Sequence, residues 1–325
     1  KSNETSPEEQ AIIEAAAKHK RKLEKGYSET LETSGKTYFE VMLAEDYKDK
    51  ATGVTHSWVD KLMKDPKIRK FVQPKLDGIR AINENMSLAS REGKPFISCP
   101  HLLVNNVTLD GEMYNHSFKH DFNAIVSLIK QPKPTKEDLE RTKELAEMWV
   151  YDFPGVKEVF SKRYDALKTW FKTNKNSSLK LVETHEIKDE EELKLFHKNF
   201  LDKGFEGTII RFDLGEYENK RSEQLVKYKD FIDEEFEILD SIEGKGGRAG
   251  TIGKFILKHD KYPGETFKSN VKGNFDYLRE VWKNRESYVG KQATVQYFNR
   301  TPRKNGKGDV PRFGYVVKID RKSYE

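Results

Sequence analysis

Residues 73–80, with the sequence QPKLDGIR, place a single lysine, Lys75, within an apolar strand pattern. Burying an ammonium costs free energy unless the site uses it. Burial and the neighbouring guanidinium of Arg80 are expected to lower the pKa of Lys75, and the free amine that results is a nucleophile. Asp77 and Gly78 predict a turn beside it. Because surface hairpins carry the same letters, this segment alone does not identify a function.

Two later segments carry groups that a reactive lysine could use. Strand alternation in residues 108–114 puts Asp110 and Glu112 on one face and apolar side chains on the other. Residues 148–153 predict a strand on which Tyr151 could stack against a nucleobase. A carboxylate in a turn and an aromatic residue in the core would give the same sequence pattern. The order and spacing of the segments are therefore more specific than any one segment.

Two more segments complete the series. Glu206 stands just before the apolar strand predicted at 207–212. Lys227 and Lys229 share one face of the strand predicted at 224–231, while Val226 and Tyr228 take the core face. A solvated lysine pair is the ordinary explanation for the second segment.

Composition excludes several classes of protein. The 325 residues include 59 Lys and Arg against 54 Asp and Glu, which gives a net charge of +5. No apolar run approaches the roughly 18 residues of a membrane span, so no membrane association is expected. Cys99 is the one cysteine of the sequence, which excludes an internal disulfide and a four-cysteine zinc site and fits a reducing compartment. The glycines of residues 244–250 lack the Gly-Lys-Ser/Thr of a P-loop.

Hydrophobic periodicity predicts three parts. Residues 1–36 form an N-terminal extension whose basic helix begins at a capping box on Ser6 and runs to Leu23. Residues 37–231 mix strands and helices that rarely alternate, which predicts an α+β fold with antiparallel sheets and flanking helices. Residues 232–325 carry short strands and glycine-rich turns, which predict a small β-barrel. The predicted strands of these two parts are 70–82, 107–114, 148–153, 179–186, 207–212, 224–231, 235–242, 252–258, 292–298 and 315–320.

The reactive segments resemble, in order, motifs I, III, IIIa, IV and V of the covalent nucleotidyltransferases, which are the ATP-dependent DNA ligases, RNA ligases and mRNA capping enzymes. The resemblance covers most of the chain, from about residue 38 to residue 321. Arg80 ends motif I in the form found in DNA ligases and capping enzymes, and the pair Ser90-Arg91 resembles one that follows in DNA ligases. Residues 109–116, with Arg221-Ser222 ahead of motif V, are most similar to small phage and bacterial DNA ligases. This resemblance implies an adenylation domain followed by an OB-fold DNA-binding domain.

The resemblance also implies a role for each matched residue on the nucleotide side. Lys75 would take AMP from ATP, and Lys227 and Lys229 would neutralise the α-phosphate. Tyr151 would stack on adenine, and Gln73 would contact the edge of the base. A metal ion, Mg²⁺ or Mn²⁺, would be held by Glu112 and Glu206; Glu112 would also orient the ribose.

On the DNA side, the resemblance implies that Arg80 and Arg91 hold the 5′-phosphate of a nick. Residues 310–313, with the sequence VPRF, resemble the segment that leads into motif VI and imply DNA contacts by Arg312 and Arg321. Two departures stand out, because Gly314 replaces the usual proline and Arg321 lies one residue later than expected.

The implied function is ATP-dependent sealing of nicked double-stranded DNA by a monomer in the cytoplasm of a bacterium or a phage-infected cell. ATP is favoured over NAD because NAD-dependent ligases carry a four-cysteine zinc module that one cysteine cannot build. The alternatives are a capping guanylyltransferase, an RNA ligase and an inactive nucleic-acid-binding protein. Glu206-Gly207 favours a ligase over a capping enzyme, which usually has Asp-Gly there, and Arg80 disfavours an RNA ligase, which usually has Asn.

Overall fold

The structure is a computed structural model that describes residues 6–23, 27, 38–49, 53–119, 121–303 and 307–319. The chain divides into two compact units, and the boundary between them lies between Tyr228 and Lys229. The boundary predicted from the sequence lies after residue 231. Within the described residues, the helices lack the length and apolar content needed to cross a bilayer.

The first unit contains two five-stranded sheets and the helices around them. Its elements are, in chain order, α1 (Pro7–Leu23), β1 (Leu43–Asp46), α2 (Ser57–Lys64), β2 (Lys70–Lys75), β3 (Ile79–Glu84), β4 (Ser87–Ser90), β5 (Thr108–Tyr114), α3 (Phe122–Ile129), α4 (Lys136–Leu145), β6 (Glu147–Asp152), α5 (Phe160–Thr173), β7 (Leu179–Leu181), β8 (His185–Ile187), α6 (Glu190–Asp202), β9 (Gly207–Phe212) and β10 (Arg221–Tyr228). The first sheet has the order β1-β10-β9-β2-β8 and the second has the order β4-β3-β5-β6-β7.

The strand predicted at 70–82 is wrong as a single element, because the chain passes there from one sheet to the other. Lys75 ends β2 in the first sheet, and β3 starts the next run in the second sheet. Gly78 lies in the crossing, where an added Cβ would stand 2.3 Å from the carbonyl oxygen of Met113. Any larger residue would collide with that backbone, so the glycine lets β3 start close against β5. The strand predicted at 179–186 is likewise divided between the two sheets, as β7 and β8.

The helix predicted at the N-terminus is confirmed with its capping box. The backbone N–H of Glu9 donates to the Ser6 hydroxyl, and the Ser6 N–H donates to the Glu9 carboxylate at 2.8 Å. Wherever its side chains are described, α1 is exposed. Residues 24–26, which follow this helix in the sequence, lie outside the described residues.

The two faces predicted for β5 are confirmed by its side-chain contacts. Leu109 and Met113 are fully buried in the main core of the first unit, which also contains Cys99. Asp110 and Glu112 lie on the opposite face. Asp110 accepts a hydrogen bond from Arg80, and the charge of Arg80 opposes the effect of burial on the pKa of Glu112. This strand therefore supplies packing on one side and carboxylates on the other.

The second unit is a closed five-stranded barrel, as the sequence predicts. Its elements are β11 (Ile232–Glu243), β12 (Ile252–Lys258), β13 (Thr266–Val271), α7 (Phe275–Lys283), β14 (Gln292–Tyr297), β15 (Arg300–Pro302), β16 (Asp309–Pro311) and β17 (Tyr315–Ile319). The barrel order is β11-β12-β13-β17-β14, and β15 pairs with β16 in a separate hairpin. A five-stranded barrel with its fifth strand placed between the third and fourth has the strand order of an OB-fold.

A buried ion network joins the two sheets of the first unit. Asp152 on β6 accepts hydrogen bonds from Arg163 Nε at 2.7 Å and from Arg211 Nη1. Arg211 lies on β9 of the other sheet, and its Nε donates to Gln73 Oε1 at 3.0 Å. Gln73 in turn donates to the carbonyl oxygen of Tyr151 at 3.2 Å. Asp152, Gln73 and the two arginines are almost completely removed from water, so each depends on the others for compensation.

A second buried carboxylate lies directly opposite the first. Asp110 on β5 pairs in register with Asp152 on β6. Arg80 Nε donates to Asp110 at 2.9 Å, and the Tyr217 hydroxyl donates to it at 2.7 Å. Burial alone would raise the pKa of Asp152, but Arg211 and Arg163 outweigh it and hold that pKa below its ordinary value. Asp152 is therefore charged and is compensated by two arginines, whereas Asp110 is paired with one arginine and one tyrosine hydroxyl.

We predict that the substitution Asp152→Asn lowers the free energy of unfolding by about 3–5 kcal/mol, because it leaves two buried guanidiniums without a counter-charge. Urea denaturation followed by circular dichroism measures the loss. Asp165→Asn is the matched control, since Asp165 forms an exposed ion pair with Lys168 at 2.8 Å. Its loss should cost less than about 1 kcal/mol. Equal destabilisation by the two variants would show that the buried network does not hold the sheets together.

Candidate active site

A cavity of about 210 Å³ in the first unit gathers most of the residues that the sequence analysis singles out. Both sheets contribute to it, together with the loop after β4. Its polar lining residues are Gln73, Lys75, Arg80, Arg91, Glu112, Tyr151, Arg211 and Lys227. The cavity therefore combines several cationic groups with an aromatic ring and a carboxylate, which suits an anionic aromatic ligand.

Lys75 enters this cavity from the end of β2 and is held by Glu206. The pairing of β2 with β9 sets Lys75 opposite Gly207, and the Glu206 N–H donates to the Lys75 carbonyl oxygen at 2.9 Å. This backbone contact brings the Glu206 carboxylate onto the Lys75 ammonium, with which it forms an ion pair. Register thus explains why a carboxylate far away in the sequence reaches the lysine.

The predicted lowering of the Lys75 pKa is wrong. Burial does push this pKa down, but the direct contact with Glu206 outweighs burial, and Glu112 adds to it. The pKa of Lys75 is therefore raised, and the side chain is an ammonium. Arg80, the neighbour expected from the sequence to lower this pKa, is paired with Asp110 instead.

Tyr151 and Glu112 form one wall of the cavity. The Tyr151 hydroxyl donates to the carbonyl oxygen of Gly111 at 3.1 Å and lies 3.4 Å from Glu112 Oε2. The guanidinium carbons of Arg80 and Arg211 lie 5.6 and 5.5 Å from the centre of the Tyr151 ring. These contacts hold the ring in one orientation at the cavity surface. Burial raises the pKa of Glu112 to about 8, although Lys75 and Arg80 act to lower it.

Gln73 lines the cavity, but its polar atoms are engaged within the protein. Its amide donates to Thr184 Oγ1 at 2.9 Å as well as to the carbonyl oxygen of Tyr151, and its oxygen accepts from Arg211. Arg211 is a lining residue that sequence reasoning missed as a site residue. The available signal was an arginine within the apolar strand 207–212, where a charge needs a buried partner.

The two lysines near the end of β10 have different surroundings. Lys227 lines the cavity, and its Nζ lies 3.2 Å from Asp46 Oδ1. Val226 is buried beside it, as predicted from the alternation. Lys229 belongs to the second unit, where its ammonium lies 4.8 Å from the centre of the Phe298 ring. Lys229 is not among the residues that line the cavity.

The two arginines assigned to a DNA phosphate differ in environment. Arg80 is mostly buried against Asp110, whereas the side chain of Arg91 is 61% exposed. Both residues, with Glu112, also line a larger cleft of about 780 Å³ beside the cavity. Lys94 and Lys130 add positive charge to that cleft. Arg91 is thus the arginine that can exchange its present contacts for a ligand.

In the barrel, Arg312 lies in the turn before β17. Its guanidinium carbon is 5.1 Å from the centre of the Phe313 ring, and Phe313 is 77% exposed with a φ of +53°. A bulky residue in this region of backbone space is uncommon and costs free energy. Arg321, the other predicted DNA contact of this region, lies outside the described residues.

The carboxylates available for a metal ion are Glu112 and Glu206. Within the described residues, no group of three or more His, Cys, Asp or Glu side chains is arranged to hold a metal. Magnesium is commonly bound by one or two carboxylates and completes its shell with waters and substrate phosphates. The donor set therefore fits a magnesium ion that binds together with a phosphate ligand.

Comparison with known proteins agrees with this arrangement. The family model of the ATP dependent DNA ligase domain matches residues 42–229, more than half of the sequence. A DNA ligase of Haemophilus influenzae is 25% identical over 190 residues, which are 58% of this chain and 68% of that protein. A DNA ligase of African swine fever virus is 27% identical over 268 residues, which are 72% of this chain and 60% of the viral protein. The chain thus spans three fifths of the viral relative.

Solved structures share the fold over both units. A Lig E DNA ligase, described as binding DNA with a minimal scaffold, superposes with a TM-score of 0.68 at 22% identity and covers 86% of this chain and 99% of its own. The structure named Pmar-Lig_PreS3 superposes with a TM-score of 0.73 at 19% identity and covers 89% of this chain and 69% of its own. With the family match over residues 42–229, the conclusion is direct: the chain belongs to the ATP-dependent DNA ligase family.

Proposed function

We propose that this protein seals nicks in double-stranded DNA through an adenylate carried on Lys75. The observation that carries the proposal is the convergence of Lys75, Glu112, Tyr151 and Lys227 on one cavity. Membership of the ATP-dependent DNA ligase family supports the same chemistry. We also propose that the protein acts as a monomer in the cytoplasm.

In the first step, Lys75 Nζ attacks the α-phosphorus of ATP. A phosphorus–nitrogen bond forms, and the bond to pyrophosphate breaks. The lysine must first lose its proton and its direct contact with Glu206, because an ammonium has no electron pair to donate. Lys227 reaches the same cavity and would neutralise charge on the α-phosphate.

The nucleotide would lie with its base against Tyr151, which the two flanking guanidiniums hold in place. Gln73 adjoins it, and its amide oxygen, which accepts one hydrogen bond from Arg211, would accept a second from the edge of the base. Glu112 and Glu206 would hold a magnesium ion, which neutralises phosphate charge when bound. The resemblance to motif V supports Lys229 as a second contact to the α-phosphate. Lys229 is the first residue of the second unit.

The second and third steps act on DNA. The 5′-phosphate at the nick attacks the phosphorus of the lysine-bound AMP, and a phosphoanhydride replaces the bond to Lys75. The 3′-hydroxyl then attacks the 5′-phosphate, forming the phosphodiester and releasing AMP. Arg91, which is exposed, would bind this phosphate together with Arg80, which lines the same cleft and is also paired with Asp110. Arg312, with the exposed ring of Phe313, is proposed as a contact of the barrel with the duplex, and Arg321 keeps the same proposed role.

We predict that Lys75→Ala abolishes the enzyme–AMP adduct, because no other group would form the phosphorus–nitrogen bond. The measurement is incubation with α-labelled ATP and Mg²⁺, followed by denaturing gel electrophoresis, and sealing of a nicked duplex in parallel. Lys172→Ala, at an exposed position on α5, is the control and should label like wild type. An adduct on the Lys75 variant would refute the nucleophile assignment. Labelling from GTP alone would instead support a capping enzyme.

We predict that Arg91→Ala separates the steps. Adduct formation should persist, whereas sealing should slow by about 10–100-fold, since a charged hydrogen bond to phosphate contributes about 1.5–3 kcal/mol. Single-turnover sealing by pre-adenylated enzyme measures the later steps alone. Arg141→Ala, an exposed arginine on α4, is the charge-matched control. Equal loss of adduct formation and sealing would place Arg91 in the ATP step and contradict the assignment.

A further inference from the structure

Asp46 is an acidic residue at the end of β1 that no motif assigns. Its Oδ1 lies 3.2 Å from Nζ of Lys227, and each of the two side chains is 22% exposed. Leu43 and Ala44 of the same strand line the cavity that Lys227 enters. Asp46 therefore stands immediately behind a cationic group of the nucleotide site.

A break in strand register delivers Asp46 to this position. β1 runs parallel to β10, where Ala44 is opposite Ser222 but Asp46 is opposite Lys227. The pairing skips part of β10 between these points, and a regular parallel ladder would have set Asp46 opposite Gln224 instead. The irregularity thus determines which side chain receives the carboxylate.

The backbone beyond Asp46 is held firmly in place. The N–H of Tyr47 donates to the carbonyl oxygen of Lys227 at 3.0 Å. The Tyr47 ring is buried and lies 4.7 Å from the ring of Tyr228. The two strands are therefore joined on both sides of the ion pair, which limits the positions that the carboxylate can take.

We propose that Asp46 is a positioning residue, which orients the Lys227 ammonium toward the α-phosphate of ATP; this inference rests on the proposed function. A lysine side chain is long and flexible, and phosphoryl transfer depends mainly on position and charge. An ammonium carries three N–H donors, so one bond to Asp46 is compatible with donation to a phosphate.

The charge of Asp46 gives this role a distinctive kinetic signature. A carboxylate beside an anion-binding cavity opposes the binding of a triphosphate. Its benefit must therefore lie in orientation, which acts on the rate of the chemical step. Removing the charge should lower the maximal rate of adenylation without weakening ATP binding, whereas loss of a merely structural contact would not produce that division.

The test is single-turnover adenylation of the full chain across a range of ATP concentrations, with Mg²⁺ present. Asp46→Asn should slow the maximal rate by about tenfold or more, with the ATP concentration at half-maximal rate unchanged or lower. Asp46→Glu should recover part of the rate, because it restores the carboxylate. The matched control is Asp60→Asn, which removes the carboxylate of an Asp–Lys pair of 2.8 Å on α2 and should leave the rate unchanged.

Three outcomes would overturn the inference. A maximal rate within twofold of wild type for Asp46→Asn shows that Lys227 needs no positioning, and a weaker affinity for ATP at unchanged maximal rate assigns Asp46 to ground-state binding. Failure of Asp46→Glu to recover any rate, with wild-type circular dichroism, also contradicts orientation by a carboxylate. Absence of any adduct with wild-type protein would instead reject the proposed function itself, and the inference with it.

Discussion

The contact between Asp152 and two buried arginines is the constraint on which the site depends. One carboxylate on β6 compensates a guanidinium from α5 and another from β9, so it joins the two sheets of the first unit. The cavity draws its lining from those same two sheets. If the network were loosened, Tyr151 and Lys75 would no longer face each other across a defined space, because they belong to different sheets. The ion network thus stabilises the packing of the two sheets and also fixes the positions of the residues that line the cavity.

Three cations that line the cavity are each paired with a carboxylate. Lys75 is paired with Glu206, Lys227 with Asp46 and Arg80 with Asp110. The modest net charge of +5 therefore does not describe what a nucleotide meets, because most of the local charge is already compensated. Under the proposed function, binding of a phosphate ligand and a metal ion would exchange the partners of these cations without moving the sheets that carry them.

Much of this architecture could be predicted from the sequence, since it depends on local patterns. The capping box of α1, the alternation of β5 and the barrel after residue 231 follow from short-range periodicity and from glycine-rich turns. Lys75, Glu112, Tyr151 and Lys227 could be selected because their types and order suit one reaction, and the structure gathers them around one cavity.

What the sequence could not supply depends on long-range pairing. Asp77 and Gly78 predict a turn between β2 and β3, but the sequence does not show that the chain passes there from one sheet to the other. The raised pKa of Lys75 follows from the register of β2 with β9, and the placement of Asp46 follows from an irregularity in a parallel pair. Neither register is visible in the one-dimensional pattern, because the partner strands lie far apart in the chain.

The single cysteine has a practical consequence of another kind. Cys99 is fully enclosed in the core of the first unit, and burial raises the pKa of its thiol to about 11. A thiol that is both inaccessible and protonated reacts slowly with maleimides and disulfide reagents. Cys99 is therefore expected to remain unlabelled when cysteines introduced at the surface are labelled. A fluorophore pair or spin labels on introduced surface cysteines would report on the separation of the two units during turnover, without first replacing a native residue.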